Sequence, residues 1–166
     1  MKIALYFLSL IWLLPPNTSE DQTALTEDEI KAVLERHNYW RADVGVTEKL
    51  EWSDEMAELA ADWAKKLKRK NCGWEHRPNN KYGENLFKGT AGAFDAAYVV
   101  DAWAGEKADY NYNRNKCKPG KMCGHYTQIV WQTTKKVGCA KIECDGMDIW
   151  VCNYDPPGNW VGEKPY

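Results

Sequence analysis

Six cysteines, at positions 72, 117, 123, 139, 144 and 152, constrain this chain of 166 residues more than any other feature. What they can do depends on where they fold. The chain starts Met1-Lys2 and runs on through IALYFLSLIWLL to Pro15-Pro16 and small polar residues, an apolar stretch too short to span a bilayer comfortably. This pattern predicts a signal peptide over residues 1–20, cut between Pro16 and Ala24, and hence export to an oxidising compartment where disulfides persist. An even number of cysteines there argues for three bridges, and the absence of a C-x-x-C pair argues against a zinc knuckle.

The turn dipeptide Asp145-Gly146 assigns the first bridge. It is a strong two-residue hairpin signal between β-prone runs, and it sets Cys144 opposite Met147 and Cys139 opposite Cys152. Opposed residues at a non-hydrogen-bonded position lie about 4.5 Å apart at Cα, within disulfide reach. Cys144 has the other parity and projects from the other face. Cys117 and Cys123 flank a short Pro-Gly loop and can close on each other, which leaves Cys72 for Cys144.

Elsewhere the signals are helical. Thr26 and Glu29 form a capping box before a helix to about Arg41, and Ser53 caps a second whose apolar face holds Met56, Leu59, Ala60, Trp63, Ala64 and Leu67. A third is predicted over 93–108. The run from Cys123 to Trp131 reads as a buried strand carrying His125 and Gln128. Helices followed by a C-terminal hairpin predict an α+β or layered α-β-α domain. The stretches 70–92 and 109–124 read as loops of functional length.

The residues exclude more chemistry than they permit. With the leader gone, Ser53 is the one serine certain to remain, and it caps a helix, so a serine triad has no nucleophile. Paired cysteines leave no thiolate, and no phosphate-cradling glycine motif occurs. A formal net charge of −2 implies, by totals, no basic face for nucleic acid or anionic membrane. What remains is histidine with carboxylate. His76 and His125 lie beside cysteines that would pin their loops; His37 falls on the core stripe of the first helix and reads as structural, as does the amide of Gln128.

The stretches "KYGENL", "DAWAGEKADYNYN", "GHYTQIVW" and "VCNYDPPGNW", in that order, resemble the signatures of the CAP superfamily: cysteine-rich secretory proteins, antigen 5 and pathogenesis-related proteins. Among its branches the chain most resembles the plant pathogenesis-related proteins of group one, over about residues 26–166. The resemblance implies a three-layer α-β-α sandwich with three disulfides, Cys72–Cys144, Cys117–Cys123 and Cys139–Cys152, in agreement with the pairing read above. It also implies a cleft tetrad of His76, Glu84, Glu106 and His125. Two imidazoles and two carboxylates there could hold a divalent ion such as zinc through His76 and His125, with the glutamates as hydrogen-bonding support, or form a metal-free network.

Three functions follow as expectations. One is a secreted, extracellular defence protein, monomeric and not membrane-spanning, that sequesters sterols or related lipids through Trp103, Tyr110 and Tyr112. The alternative is a metal-dependent hydrolase or protease with Glu84 or Glu106 as base. The tail 156–166 further resembles a segment released after Asp155 as a defence signal, a role that requires it to lie exposed rather than docked.

Overall fold

The computed structural model describes residues 22–166, so the leader expected over 1–20, and most of its cleavage window, lie outside the described residues. The chain runs through α1 (Glu27–Asp43), β1 (Glu51–Trp52), α2 (Asp54–Arg69), β2 (Gly83–Thr90), α3 (Ala96–Ala104) and a 3-10 turn (Gly105–Asp109). It continues with β3 (Tyr110–Asn111), β4 (Lys116–Cys117), α4 (Gly124–Ile129), β5 (Lys136–Cys144) and β6 (Met147–Asp155).

A four-stranded sheet in the order β1-β5-β6-β2 forms the middle layer, antiparallel except where β1 meets β5. Asp145 and Gly146 both take positive φ, the geometry of a two-residue hairpin turn. The turn places Cys144 opposite Met147 and Cys139 opposite Cys152. Because side chains alternate along a strand, each face has its own core. Ala140, Ile142, Ile149 and Val151 meet Ala60, Trp63, Ala64 and Leu67 of α2 on one side. Val137, Trp150 and Tyr154 meet Val33 of α1, Val99 and Trp103 of α3, and Tyr126 of α4 on the other. The result is a three-layer α-β-α sandwich.

Close approach of α2 depends on Gly138, where a Cβ would stand 2.2 Å from the Ala57 amide nitrogen. Burying one side chain such as Leu67 in that layer contributes about 1.5–3 kcal/mol. The bridges follow the layers. Cys139–Cys152 joins opposed hairpin residues with Cα atoms 4.1 Å apart. Cys72–Cys144 ties the chain after α2 to the end of β5 on the α2 face, and Cys117–Cys123 closes the loop before α4.

Three expectations need correction. The run 123–131 is not a strand; residues 124–129 are a short helix. Its β-prone composition yields to packing, because a turn of helix sends Tyr126, Ile129 and Val130 into the core while His125 stays at the cleft. The sheet edge beside β6 belongs instead to β2, which pairs along its whole length from Gly83↔Tyr154 to Thr90↔Met147. The long loop read over 70–92 therefore contains a strand. The third helix is capped by Asp95 and covers Ala96–Ala104, then tightens into a 3-10 turn.

Candidate functional site

The cleft opens where the ends of β2 and α4 meet the loops before them. Glu84 stands second on β2, with its side chain 4% exposed. Its Oε1 accepts hydrogen bonds from His76 Nδ1 at 2.7 Å and from the Arg77 amide at 3.0 Å. Glu106 lies in the 3-10 turn, and its Oε2 accepts from the amides of His125 (2.9 Å) and Tyr126 (3.2 Å), donors that the start of α4 would otherwise leave unpaired. Its Oε1 pairs with His125 Nδ1 at 2.6 Å. Each histidine thus donates Nδ1–H to a glutamate, which leaves Nε2 as the nitrogen able to hold a metal. That arrangement is the usual carboxylate–histidine support of a metal ligand.

The two pairs differ in setting. The side chain of His76 is 62% exposed, while those of His125 and Glu106 are each 16% exposed. The hydrogen bond that His76 donates to Glu84 raises the His76 pKa above its ordinary 6.5, opposed by partial burial. With Trp74, Met122 and Asn159, the side chains of His76, Glu84 and His125 line a cleft of about 390 Å³, while Glu106 holds His125 from outside the lining. Trp74, Met122 and Asn159 were not picked out by sequence reasoning, although Trp74 lies in the same Cys72–His76 stretch that pointed to His76.

Behind the cleft runs a buried polar chain. His37 Nδ1 donates to the Val33 carbonyl (2.8 Å), so its Nε2 accepts from the Tyr154 hydroxyl (3.0 Å), which accepts from Asn85 Nδ2 (3.1 Å). Asn85 Nδ2 also donates to the His125 carbonyl (3.2 Å). Burial pushes the His37 pKa down to about 4, so the ring is neutral in this role. Gln128 bridges Thr134 and the Gly158 amide, and Arg41 donates to the carbonyls of Ile129, Trp131 and Thr134. Neither Arg41 nor Asn85 was legible as a buried linker, because each owes that role to a partner far away in sequence.

Among the described residues, three donor side chains with ligand atoms within 4.8 Å of one another are found at Cys72, Cys144 and Asp145, not within the His/Glu tetrad. The two sulfurs are bonded to each other, so no thiolate is available there.

The aromatic loop flanks the cleft. Tyr110 and Tyr112 lie on and beside the β3–β4 ribbon, while Trp103 is 3% exposed and donates to the Leu86 carbonyl from within the core. The Tyr112 ring stacks on Tyr166 at 4.6 Å, and its hydroxyl donates to the Tyr166 carbonyl. The tail is held along its length. Asn159 bonds Thr127 and Gly124, Pro165 accepts from the Gln132 amide, and Tyr166 reaches the Tyr126 hydroxyl.

A disulfide-stapled α-β-α sandwich with two His–Glu pairs at one end of its sheet defines a recognisable class. The chain belongs to the CAP family, the cysteine-rich secretory protein family, whose profile matches residues 34–154. It is 46% identical over 134 residues to pathogenesis-related protein 1A of Nicotiana tabacum, covering 80% of this chain and 78% of that one. It is 47% identical over 131 residues to pathogenesis-related protein PR-1 of Medicago truncatula, covering 78% and 74%. A solved structure determined with Zn2+ superposes with a TM-score of 0.70 at 28% identity, covering 92% of this chain and 88% of the other. Among the described residues no helix is long and apolar enough to cross a membrane, and the disulfides fit a secreted protein.

Proposed function

We propose that the protein is a secreted defence protein that acts by binding sterols or related lipids at the aromatic loop rather than by turnover. The observation that carries this reading is the state of the two carboxylates. Glu84 and Glu106 each already accept three hydrogen bonds, and Glu84 is nearly buried, so neither is free to take a proton from water as a hydrolase requires. Tyr110 and Tyr112 instead offer half-exposed rings held in place by their own hydroxyls, which donate to Asn115 Oδ1 (2.6 Å) and to the Tyr166 carbonyl, a fixed apolar wall suited to a sterol. Trp103, buried in the core, bonded to the Leu86 carbonyl and stacked on His125, takes no direct part in such a surface. The test is growth of a sterol-auxotrophic microbe with the protein, with and without added sterol, alongside direct sterol binding by wild type and Tyr112→Ala. Inhibition that added sterol does not relieve removes the sterol reading.

Within the same proposal, His76 and His125 hold a divalent ion such as zinc through Nε2, supported by the likeness to the structure determined with Zn2+. Two imidazoles with water make a weak, exchangeable site. Zinc should dissociate as pH falls through the histidine range, from above 6.5 for His76. Calorimetry giving equal zinc affinity for the His76→Ala, His125→Ala double variant removes the site.

Release of residues 156–166 as a signal requires the tail contacts to be surrendered first. The middle, Trp160 to Lys164, is exposed, but both ends are bonded to the core. A signalling role therefore needs a protease that captures an opened tail. Cleavage after Asp155 at the rate of an unfolded peptide would show that the contacts offer no protection.

A further inference from the structure

We propose that the loop 109–122 and the adjoining tail form a docking surface for anionic lipid membranes. The net charge of the chain conceals it. Over those fourteen positions stand four cations, Arg114, Lys116, Lys118 and Lys121, against one carboxylate, Asp109, in a protein whose formal net charge is −2. Asp109 pairs with Lys118 at 3.0 Å, whereas Arg114, Lys116 and Lys121 are exposed and have no ion-pair partner among the described residues.

A second observation is independent of charge. Met122 is 66% exposed, Trp160 57%, and Val161 fully so, and these three large apolar side chains gain little from the fold where they stand. The tail brings them beside the cations. Asn159 Nδ2 donates to the Gly124 carbonyl (2.8 Å), which sets Trp160 next to the segment of Met122. Asn115 Nδ2 donates to the Glu163 carbonyl (2.8 Å), and Lys164 Nζ lies 4.3 Å from the Tyr112 ring centre, so loop and tail share one face. Glu163 is the acidic group of the tail within this face, and Lys164 follows it directly.

Basic side chains around exposed Trp and Met match the interfacial zone of an anionic bilayer. Cations meet the headgroups there, and an indole sits at the level where apolar and polar meet. The surface includes the aromatic loop, Tyr110 and Tyr112, but does not depend on sterol, because the vesicles that test it contain none.

The experiment is flotation of the disulfide-intact protein with sterol-free vesicles, either pure phosphatidylcholine or with a third of the lipid replaced by phosphatidylglycerol. Binding is expected to the anionic vesicles and to fall steeply with salt. Lys116→Gln with Lys121→Gln should weaken it about twenty-five-fold, at roughly fivefold per cation. Met122→Ser with Trp160→Ser should weaken it by about fivefold or more. Lys31→Gln with Lys49→Gln, elsewhere on the surface, should change nothing. Equal binding to neutral vesicles, no binding to either kind, or an unchanged loop double variant overturns the proposal. So does retention on soluble heparin without vesicle binding, which would make the patch a polyanion site. A protein that docks on these vesicles yet fails the sterol assay leaves this inference standing while the sterol reading falls.

Discussion

The two His–Glu pairs are the same chemistry in two settings. Glu106 with His125 is part of the fold: the carboxylate stands in the first part of the 3-10 turn, caps α4 and fixes the imidazole, and both side chains are mostly covered. Glu84 with His76 joins a strand to a loop whose histidine faces solvent. The difference teaches that a shared motif can hide an unequal division of labour. One half builds the wall, and the other half is free to respond to pH and ligand.

The largest expected effect tests the built half. Glu106→Ala leaves two backbone donors and the His125 ring without their acceptor, and should cost about 3–4 kcal/mol in urea unfolding. A loss below about 1 kcal/mol would erase the distinction between the pairs.

Acid should reach the buried half through His37. Its folded pKa of about 4 lies below the unfolded 6.5, so the unfolded chain binds the proton first as pH falls. Stability should fall between pH 6.5 and about 4, by on the order of 3 kcal/mol. His37→Gln, compared with wild type across that range, should flatten the slope; an unchanged slope would place the acid sensitivity elsewhere.

A smaller effect is expected from Gly158→Ala. The added Cβ would stand 2.5 Å from the Trp131 ring, next to the Gln128 bond that holds the tail against α4. The cost should be about 1–3 kcal/mol, with faster proteolysis after Asp155. Unchanged proteolysis would mean that the contacts of Asn159, Glu163, Pro165 and Tyr166 hold the tail without the Gly158 bond.

The smallest belongs to the exposed half. His76→Ala should change stability by less than about 1 kcal/mol, since the His76 ring is largely solvent-exposed and Glu84 keeps its bonds from the Arg77 amide and Asn80. Because the His76 pKa is raised in the folded state, what it contributes is present below pH 6.5 and is lost as pH rises above that. A large loss at neutral pH would make the two pairs equivalent after all.

Local signals in the sequence were enough for the hairpin register, the caps Thr26 and Ser53, and the face of α2. Each depends on residues within a few positions: Asp145-Gly146 sets φ for its own turn, and Thr26 bonds the Glu29 amide. The resemblance named the tetrad but could not say that one histidine, His76, faces solvent while the other, His125, is mostly covered. The strand over Gly83–Thr90 was missed because its partner β6 lies more than fifty residues on, and pairing rather than propensity makes it a strand.

What the sequence by itself determined is the local geometry and the pairing of its cysteines: the hairpin register, the helix caps and three bridges that leave no thiolate. Only the tertiary structure decided that 124–129 is a helix, that Asn85 and Arg41 are buried linkers, and that Tyr166 lies on Tyr112. The reason is physical. A turn or a cap draws its energy from neighbours along the chain, whereas burial and long-range hydrogen bonds draw theirs from groups that only the completed fold brings within reach.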